Sequence, residues 1–206
     1  MTVMEVEDIG KQRFRIHIEG AESIILYRSE VDRYRLKAHE VLSSAQYEEI
    51  IENTVLRRAR QKALALLKYM DRTEYELTLR LVSEGYPREV VRRALDYVRS
   101  FHYLDDQRYS EAFIRTKSHT KSSRQIKALL KQKGVSDEII EKALAFQEES
   151  EESAELEAIR RAIRKKAENA EALTKEERLK LCASLYRKGF KMENIRKVFH
   201  LYEDDI

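Results

Sequence analysis

From Leu77 to Leu95 the chain reads LTLRLVSEGYPREVVRRAL. The same chemistry returns as IKALLKQKGVSDEIIEKAL from Ile126 to Leu144 and as LCASLYRKGFKMENIRKVF from Leu181 to Phe199. Each stretch centres on a glycine: Gly85, Gly134 or Gly189. Eight residues before the glycine stands Leu77, Ile126 or Leu181, and four before it Leu81, Leu130 or Leu185, two positions that share one face of a helix. One residue after it comes a large apolar side chain (Tyr86, Val135, Phe190), and four after it a glutamate (Glu89, Glu138, Glu193). Val91/Ala94/Leu95, Ile140/Ala143/Leu144 and Ile195/Val198/Phe199 then supply the i, i+3, i+4 stripe of a second helix. The unit is helix, glycine corner, helix, used three times. Repeated helical units build extended surfaces for long partners and seldom enclose catalytic pockets.

Each residue type in the unit has a local reason. Glycine suits the left-handed position just past a helix end, where a side chain costs energy. The glutamate falls in the first turn of the next helix, where exposed N–H groups and the macrodipole favour a negative charge by roughly 0.3–1 kcal/mol. Pro87, the single proline, is expected at the first helical position, where the missing N–H is not needed. Successive glycines lie 49 and 55 residues apart, more than a helical pair requires, so a third helix is expected in each gap. Ala59, Ala63, Leu66, Leu67 and Met70 space one such helix, with Asp71-Arg72-Thr73 as its punctuation. Tyr109, Ala112 and Phe113 space the next, opened by an N-cap in Leu104-Asp105-Asp106 and closed by the break from Ser118 to Ser123. Leu156, Ile159 and Ile163 space the last, followed by a polar connection from Glu168 to about Thr174.

The first 54 residues follow another rule. Arg13 to Ile18 alternates polar and apolar as a half-buried strand does, Gly20 follows, and Ser23 to Tyr27 is a second β-prone run, which together predict a hairpin. Ser29 to about Lys37 and Ser44 to Asn53 read as short helices, each with a serine cap. The expected fold is therefore mainly all-α: three tandem three-helix repeats in an elongated, curved array, preceded by a small β-hairpin/helix segment. The expected boundaries are 1–54 for that segment and 55–103, 104–150 and 151–206 for the repeats.

A 206-residue chain with 42% hydrophobic residues can bury cores, while 37% charged residues leaves most helix faces solvated. No run of about eighteen apolar residues and no signal-peptide core is present, so a cytoplasmic protein without membrane contact is expected. Cys182 is the only cysteine, and inert packing is its favoured reading over reactivity. The five histidines (His17, His39, His102, His119, His200) are scattered, with no pair at metal-ligand spacing. No phosphate-binding glycine loop or nucleophile elbow occurs. Asp105-Asp106 reads as a cap rather than a catalytic pair. Neither enzymatic activity, nor a metal, nor a cofactor is expected.

The net charge of +3 hides an asymmetry. Residues 1–54 carry 7 Lys/Arg against 11 Asp/Glu, residues 55–135 carry 19 against 9, and residues 136–206 carry 14 against 17. On the helix after Pro87, Glu89 precedes Arg93 by four and Arg92 precedes Asp96 by four, so these charges are expected to pair locally. From Ala112 to Ser136 there are seven bases and no acid: Arg115, Lys117, Lys121, Arg124, Lys127, Lys131 and Lys133. Arg124, Lys127 and Lys131 form a stripe opposite Ile126, Leu129 and Leu130, and no partner stands close in sequence. Such a stripe is either a solvated basic face or a contact for a polyanion or an acidic protein. Arg57, Arg58 and Arg60 form a second, weaker cluster. Residues 136–157 then hold nine acids against one base, favouring a solvated connection over a device that repels phosphate.

The chain resembles the RecX family of bacterial regulators of the RecA recombinase. The resemblance rests on FHYLDDQRYSEAF from Phe101 to Phe113, IKALLKQKGV from Ile126 to Val135, TEYEL from Thr73 to Leu77, and RKGF from Arg187 to Phe190. It departs at Ser122-Ser123, where the family commonly has Gly or Pro, and at Ser110, where it usually has Ala. The resemblance implies three tandem three-helix repeats. It also implies a protein that binds RecA–DNA filaments along their groove and damps filament extension, ATP hydrolysis, strand exchange and the SOS coprotease activity. The ten bases named above are the candidate filament or DNA contacts, and a monomer is the expected state. A non-sequence-specific DNA-binding helical module and a general helical scaffold for another protein are the alternatives.

Overall fold

Gly85, Gly134 and Gly189 have φ of +86°, +78° and +90°. In each corner two backbone bonds close the preceding helix. The glycine N–H donates to the carbonyl three residues back (Val82, Lys131 or Tyr186), and the next N–H donates to the carbonyl five back: Tyr86 to Leu81, Val135 to Leu130, Phe190 to Leu185. This is the Schellman closure, whose hydrophobic partner after the glycine explains the recurrent large apolar residue there. The repeat positions eight and four before each glycine, and six and nine after it, are all buried.

The computed structural model describes residues 1–146, 148–165 and 173–199, without the side chains of 148–154. The side chains of Glu148, Glu149, Glu151 and Glu152, the connection from Glu168 to Ala172, and His200 thus lie outside the described residues. The chain divides into two compact units, Met1–Asp105 and Asp106–Ile206.

In the first unit, strands β1 (Val3–Asp8), β2 (Arg13–Ile18) and β3 (Ile24–Tyr27) form an antiparallel sheet in the order β1-β2-β3. The predicted hairpin is β2-β3, and β1 extends it to three strands. Helix α1 (Arg28–Tyr34) follows, then α2 (Ser44–Ile50), a π-helical turn (Ile51–Leu56) and α3 (Arg57–Tyr69), one helical run without a break. The serine-cap expectation holds for α2, where Ser43 Oγ accepts from Gln46 N–H at 3.2 Å. It fails for α1, which starts one residue before Ser29, its Glu30 carboxylate accepting from the Tyr27 N–H at 2.7 Å. The π turn points Ile51, Thr54, Val55 and Leu56 inward together. Helices α4 (Glu74–Ser83) and α5 (Arg88–Ser100) complete the first repeat. Sheet and repeat share one core, running from Val3 through Ile24 and Leu56 to Val98 and Leu104.

The second unit holds α6 (Asp106–Lys117), α7 (Ser123–Gln132) and α8 (Asp137–Ala145), then α9 (Glu148–Arg164), α10 (Lys175–Arg187) and α11 (Met192–Phe199). Each repeat has its own core, around Ile114, Ile126, Leu130 and Ile140 in one and Ile159, Leu185, Phe190 and Ile195 in the other. In all three repeats the first and third helices pack together: α3 with α5, α6 with α8, α9 with α11. The acidic run from residue 136 is thus helix on either side of residue 147.

Middle helices open with a reciprocal capping box, Thr73 with Glu76, Ser122 with Gln125 and Thr174 with Glu177. Third helices differ. Ser136 caps α8 itself, while Pro87 stands at the N-cap of α5, one position earlier than expected, and has no side-chain acceptor to offer. There Glu22 accepts from the Arg88 N–H at 2.9 Å. At α11 the buried carboxylate of Glu155 on α9 accepts from the Lys191 N–H at 2.7 Å and the Asn194 amide at 3.0 Å. Remote carboxylates close the helix starts that lack a local cap.

Two corners also admit a neighbour at close range. A Cβ on Gly85 would collide with Ile25 Cδ1, and one on Gly189 would meet Arg124 Cβ at 2.7 Å. Gly189→Ala combines a left-handed residue with overpacking and is expected to cost about 2–3 kcal/mol. Gly20→Ala, with φ of +73° and open space around it, is the control, at about 1 kcal/mol. Urea unfolding measures both, and equal losses would refute the close approach.

Cys182 is buried in α10 among Leu181, Leu185 and Phe199, and burial pushes its thiol pKa up. A thiol reagent at mildly alkaline pH is expected to label the native protein at least about tenfold more slowly than the unfolded chain.

Candidate functional site

The cores of the second repeat turn Ile114, Ile126 and Leu130 inward and send the bases of the acid-free interval outward. Those bases are not equivalent. Lys127 pairs with Glu141 and Lys131 with Asp137 at 2.8 Å, both acids on α8. The Glu141 hydrogen bond raises the Lys127 pKa, and the Lys131 hydrogen bond lowers that of Asp137. The expectation of partnerless charges is corrected at these two positions. Fourteen and six residues of separation hid the acids from local inspection. Lys133 lies 5.6 Å above the Tyr109 ring and 6.0 Å from the Phe113 ring, where Lys117 also sits at 6.0 Å. Tyr109 and Phe113, one helical turn apart on α6, stack at 6.1 Å, so α6 presents two aromatic faces with the ammonium groups of Lys117 and of Lys133, the α7 C-cap, over them.

Arg115, Lys117, Lys121 and Arg124 have no ion-pair partner among the described residues. Arg115 and Arg124 are exposed, while Lys121 is half-buried in the α6–α7 connection. The stem of Arg124 carries the Gly189 corner of the third repeat. Ser122 is fully buried and donates its hydroxyl to the Lys188 carbonyl at 2.7 Å, binding the second repeat to the third. That bond gives the serine at this position a structural role. Ser110 is buried and donates to the Asp106 carbonyl at 2.7 Å.

In the first unit the Arg57, Arg58 and Arg60 cluster divides. Arg58 is committed to structure: it pairs with Glu30 at 2.7 Å, donates to the Ile25 carbonyl and covers the Tyr27 ring at 4.8 Å. Arg60 covers the Tyr97 ring at 4.8 Å, and Arg57 is exposed. Tyr97, Phe101 and Tyr103 form an aromatic series with centroid spacings of 5.1 and 6.1 Å, and Phe101 and Tyr103 are exposed. Sequence inspection missed this grouping, although the i, i+4 spacing of Tyr97 and Phe101 was visible. On α5, Arg92 pairs with both Glu89 and Asp96, and Arg93 reaches Glu52 of the π turn instead of Glu89.

Among the described residues no three His, Cys, Asp or Glu side chains form a group able to hold a metal, and no helix is long and apolar enough to cross a membrane. The arrangement offers distributed cationic and aromatic contact.

Three family models match the three repeats in order: the first three-helix domain of RecX over residues 59–98, the second over 105–144 and the third over 153–199. The regulatory protein RecX of Geobacillus kaustophilus is 30% identical over 190 residues, covering 89% of this chain and 69% of that protein. That of Clostridium botulinum strain Eklund 17B is 23% identical over 214 residues, covering 98% and 99%. In fold, the chain is similar to a crystal structure of regulatory protein RecX, with a TM-score of 0.64 at 22% identity over 98% of this chain and all of that one. It is also similar to RecX from Lactobacillus salivarius, with a TM-score of 0.59 at 22% identity over 70% of this chain and 94% of that one. With its three repeats matched in order and a relative at 30% identity across most of its length, the chain belongs to the RecX family of regulatory proteins.

Proposed function

We propose that this protein regulates the RecA recombinase, chiefly as an inhibitor. It binds RecA–DNA filaments and modulates recombination, ATP hydrolysis and SOS coprotease activity, acting in the cytoplasm as a monomer. Family membership supports the partner. The observation that supports the mode of contact is the set of four bases, Arg115, Lys117, Lys121 and Arg124, that among the described residues have no ion-pair partner, beside the ion-paired Lys127 and Lys131. Cations already neutralised within the protein gain little from an external anion, whereas unpaired ones keep their full Coulomb attraction for it. These four, with Arg57 as the exposed member of the first-unit cluster, are the preferred contacts. Lys127, Lys131, Lys133, Arg58 and Arg60 are secondary.

A binding comparison tests the reading. Fluorescence anisotropy of labelled single-stranded DNA is measured with and without RecA, titrating this protein into each. Tighter binding to the filament than to naked DNA supports filament regulation; equal affinity for both would favour the DNA-binding module. Should the four free bases alone contact phosphates, log K for naked strands falls by about 3 per log unit of salt.

A further inference from the structure

We propose that the second unit carries a discrete site for a linear phosphate chain, in a cleft between its two repeats lined by Lys121, Arg161, Lys165 and Lys188. The cleft encloses about 490 Å³, within the usual range for small-ligand sites. Arg161 stands in the last turn of α9 and Lys165 just past its end, Lys188 is the C-cap of α10, and Lys121 comes from the α6–α7 connection. Among the described residues no acidic side chain lines the space, although residues 136–206 carry more acids than bases.

That exclusion has visible causes. On α9, Glu157 engages Arg160 at 3.9 Å and Arg164 at 2.5 Å, and Glu155 is spent on the start of α11. Among the described residues Arg161, Lys165, Lys121 and Lys188 make no ion pair, and Glu157 reaches Arg161 only through longer-range attraction. Ala158 and Ala162, the small residues on either side of Arg161 on α9, leave the volume open. Thr120 and Ser184 add hydroxyls to the lining.

The walls are also held in place. The Ser122 hydroxyl fixes the Lys188 carbonyl, and the Gly189 corner sits directly on Arg124, so the segment bearing Lys188 cannot drift from that bearing Lys121. Four like charges around one cleft repel one another, and a ligand with several closely spaced negative charges relieves that repulsion while accepting hydrogen bonds. A single carboxylate does not match four cations; consecutive phosphates do. The chain could belong to a free nucleoside triphosphate or to a nucleic-acid backbone. The inference does not depend on the recombinase as partner.

Isothermal titration calorimetry on the full chain, at about 0.15 M salt, tests it with three probes: inorganic tripolyphosphate, ATP, and a short oligo(dT) strand. Wild-type protein is expected to bind at least one of them at one site, with Kd below about 1 mM. Arg161→Gln with Lys165→Gln is expected to weaken that binding at least about tenfold, as is Ser184→Glu, which puts a carboxylate in the cleft and removes no base. Lys142→Gln, on α8 and paired with Glu138, is the control and leaves affinity unchanged. Binding of tripolyphosphate or ATP identifies a free phosphate chain as the ligand; binding of oligo(dT) alone identifies a strand backbone. No binding of any probe, or equal affinity in wild type and the cleft variants, would overturn the proposal.

Discussion

A protein carrying Arg115→Glu, Lys117→Glu and Arg124→Glu is expected to require at least about tenfold more material to half-inhibit RecA, with little change in its own melting temperature. Stability survives because none of the three is buried, none has an ion-pair partner to lose among the described residues, and glutamate keeps the Cβ and Cγ that Arg124 packs against Gly189. Surface substitutions of this kind usually fall within about 0.5 kcal/mol each. Inhibition suffers because each reversal replaces attraction toward a polyanion with repulsion. The informative comparison reverses Lys127 and Lys131 instead. Those charges are already neutralised by Glu141 and Asp137, so reversing them is expected to weaken inhibition less. The ATPase assay on RecA filaments ranks the two variants, and a larger loss in the Lys127/Lys131 variant would contradict the assignment. Lys121 is left intact in both, and glutamate keeps the Cβ and Cγ at position 124 on which the Gly189 corner rests, which sets this test apart from the phosphate-chain cleft.

Glu155→Ala is expected to be the most destabilising single change, at about 3–5 kcal/mol by urea unfolding of the second unit. Glu155 is the one buried carboxylate among the described residues and receives the Lys191 N–H and the amide of Asn194, itself buried in the first turn of α11. Truncation leaves both donors inside the fold with no acceptor. It also withdraws the negative charge from the start of a helix that has no capping side chain of its own. Glu155→Gln keeps an acceptor oxygen but loses the charge, so an intermediate loss is expected. A cost under about 1 kcal/mol for Glu155→Ala would mean that water replaces the carboxylate at no penalty.

The repeat was legible because its signals are local. Left-handed glycine, an apolar residue after it and a glutamate in the next turn are each dictated within about one helical turn. The capping boxes at Thr73, Ser122 and Thr174 were equally local and were visible in principle, since Glu or Gln stands three residues on in each. Strand β1 was harder to see. A register shift between Val3 and Glu5 breaks its alternation, so only Val3 in it is fully buried. The remaining misses are all tertiary. Glu22 and Glu155 close helices 66 and 36 residues away. Arg93 finds Glu52 across 41 residues, and Lys127 finds Glu141 across 14. A count of charges along the chain registered an acid-free interval, but only packing decides which of its bases remain unpaired. The bases of the cleft were hidden for the same reason, three of its four lying in a segment whose net charge is negative.

The most direct test of the regulatory role is DNA-dependent ATP hydrolysis by the cognate RecA on single-stranded DNA, titrated with this protein beside a recombinase-free control for DNA binding. Inhibition at well under one molecule per RecA subunit is the expected result. Unchanged hydrolysis, together with tight salt-sensitive binding to DNA in the control, would contradict it and leave a DNA-binding module in its place.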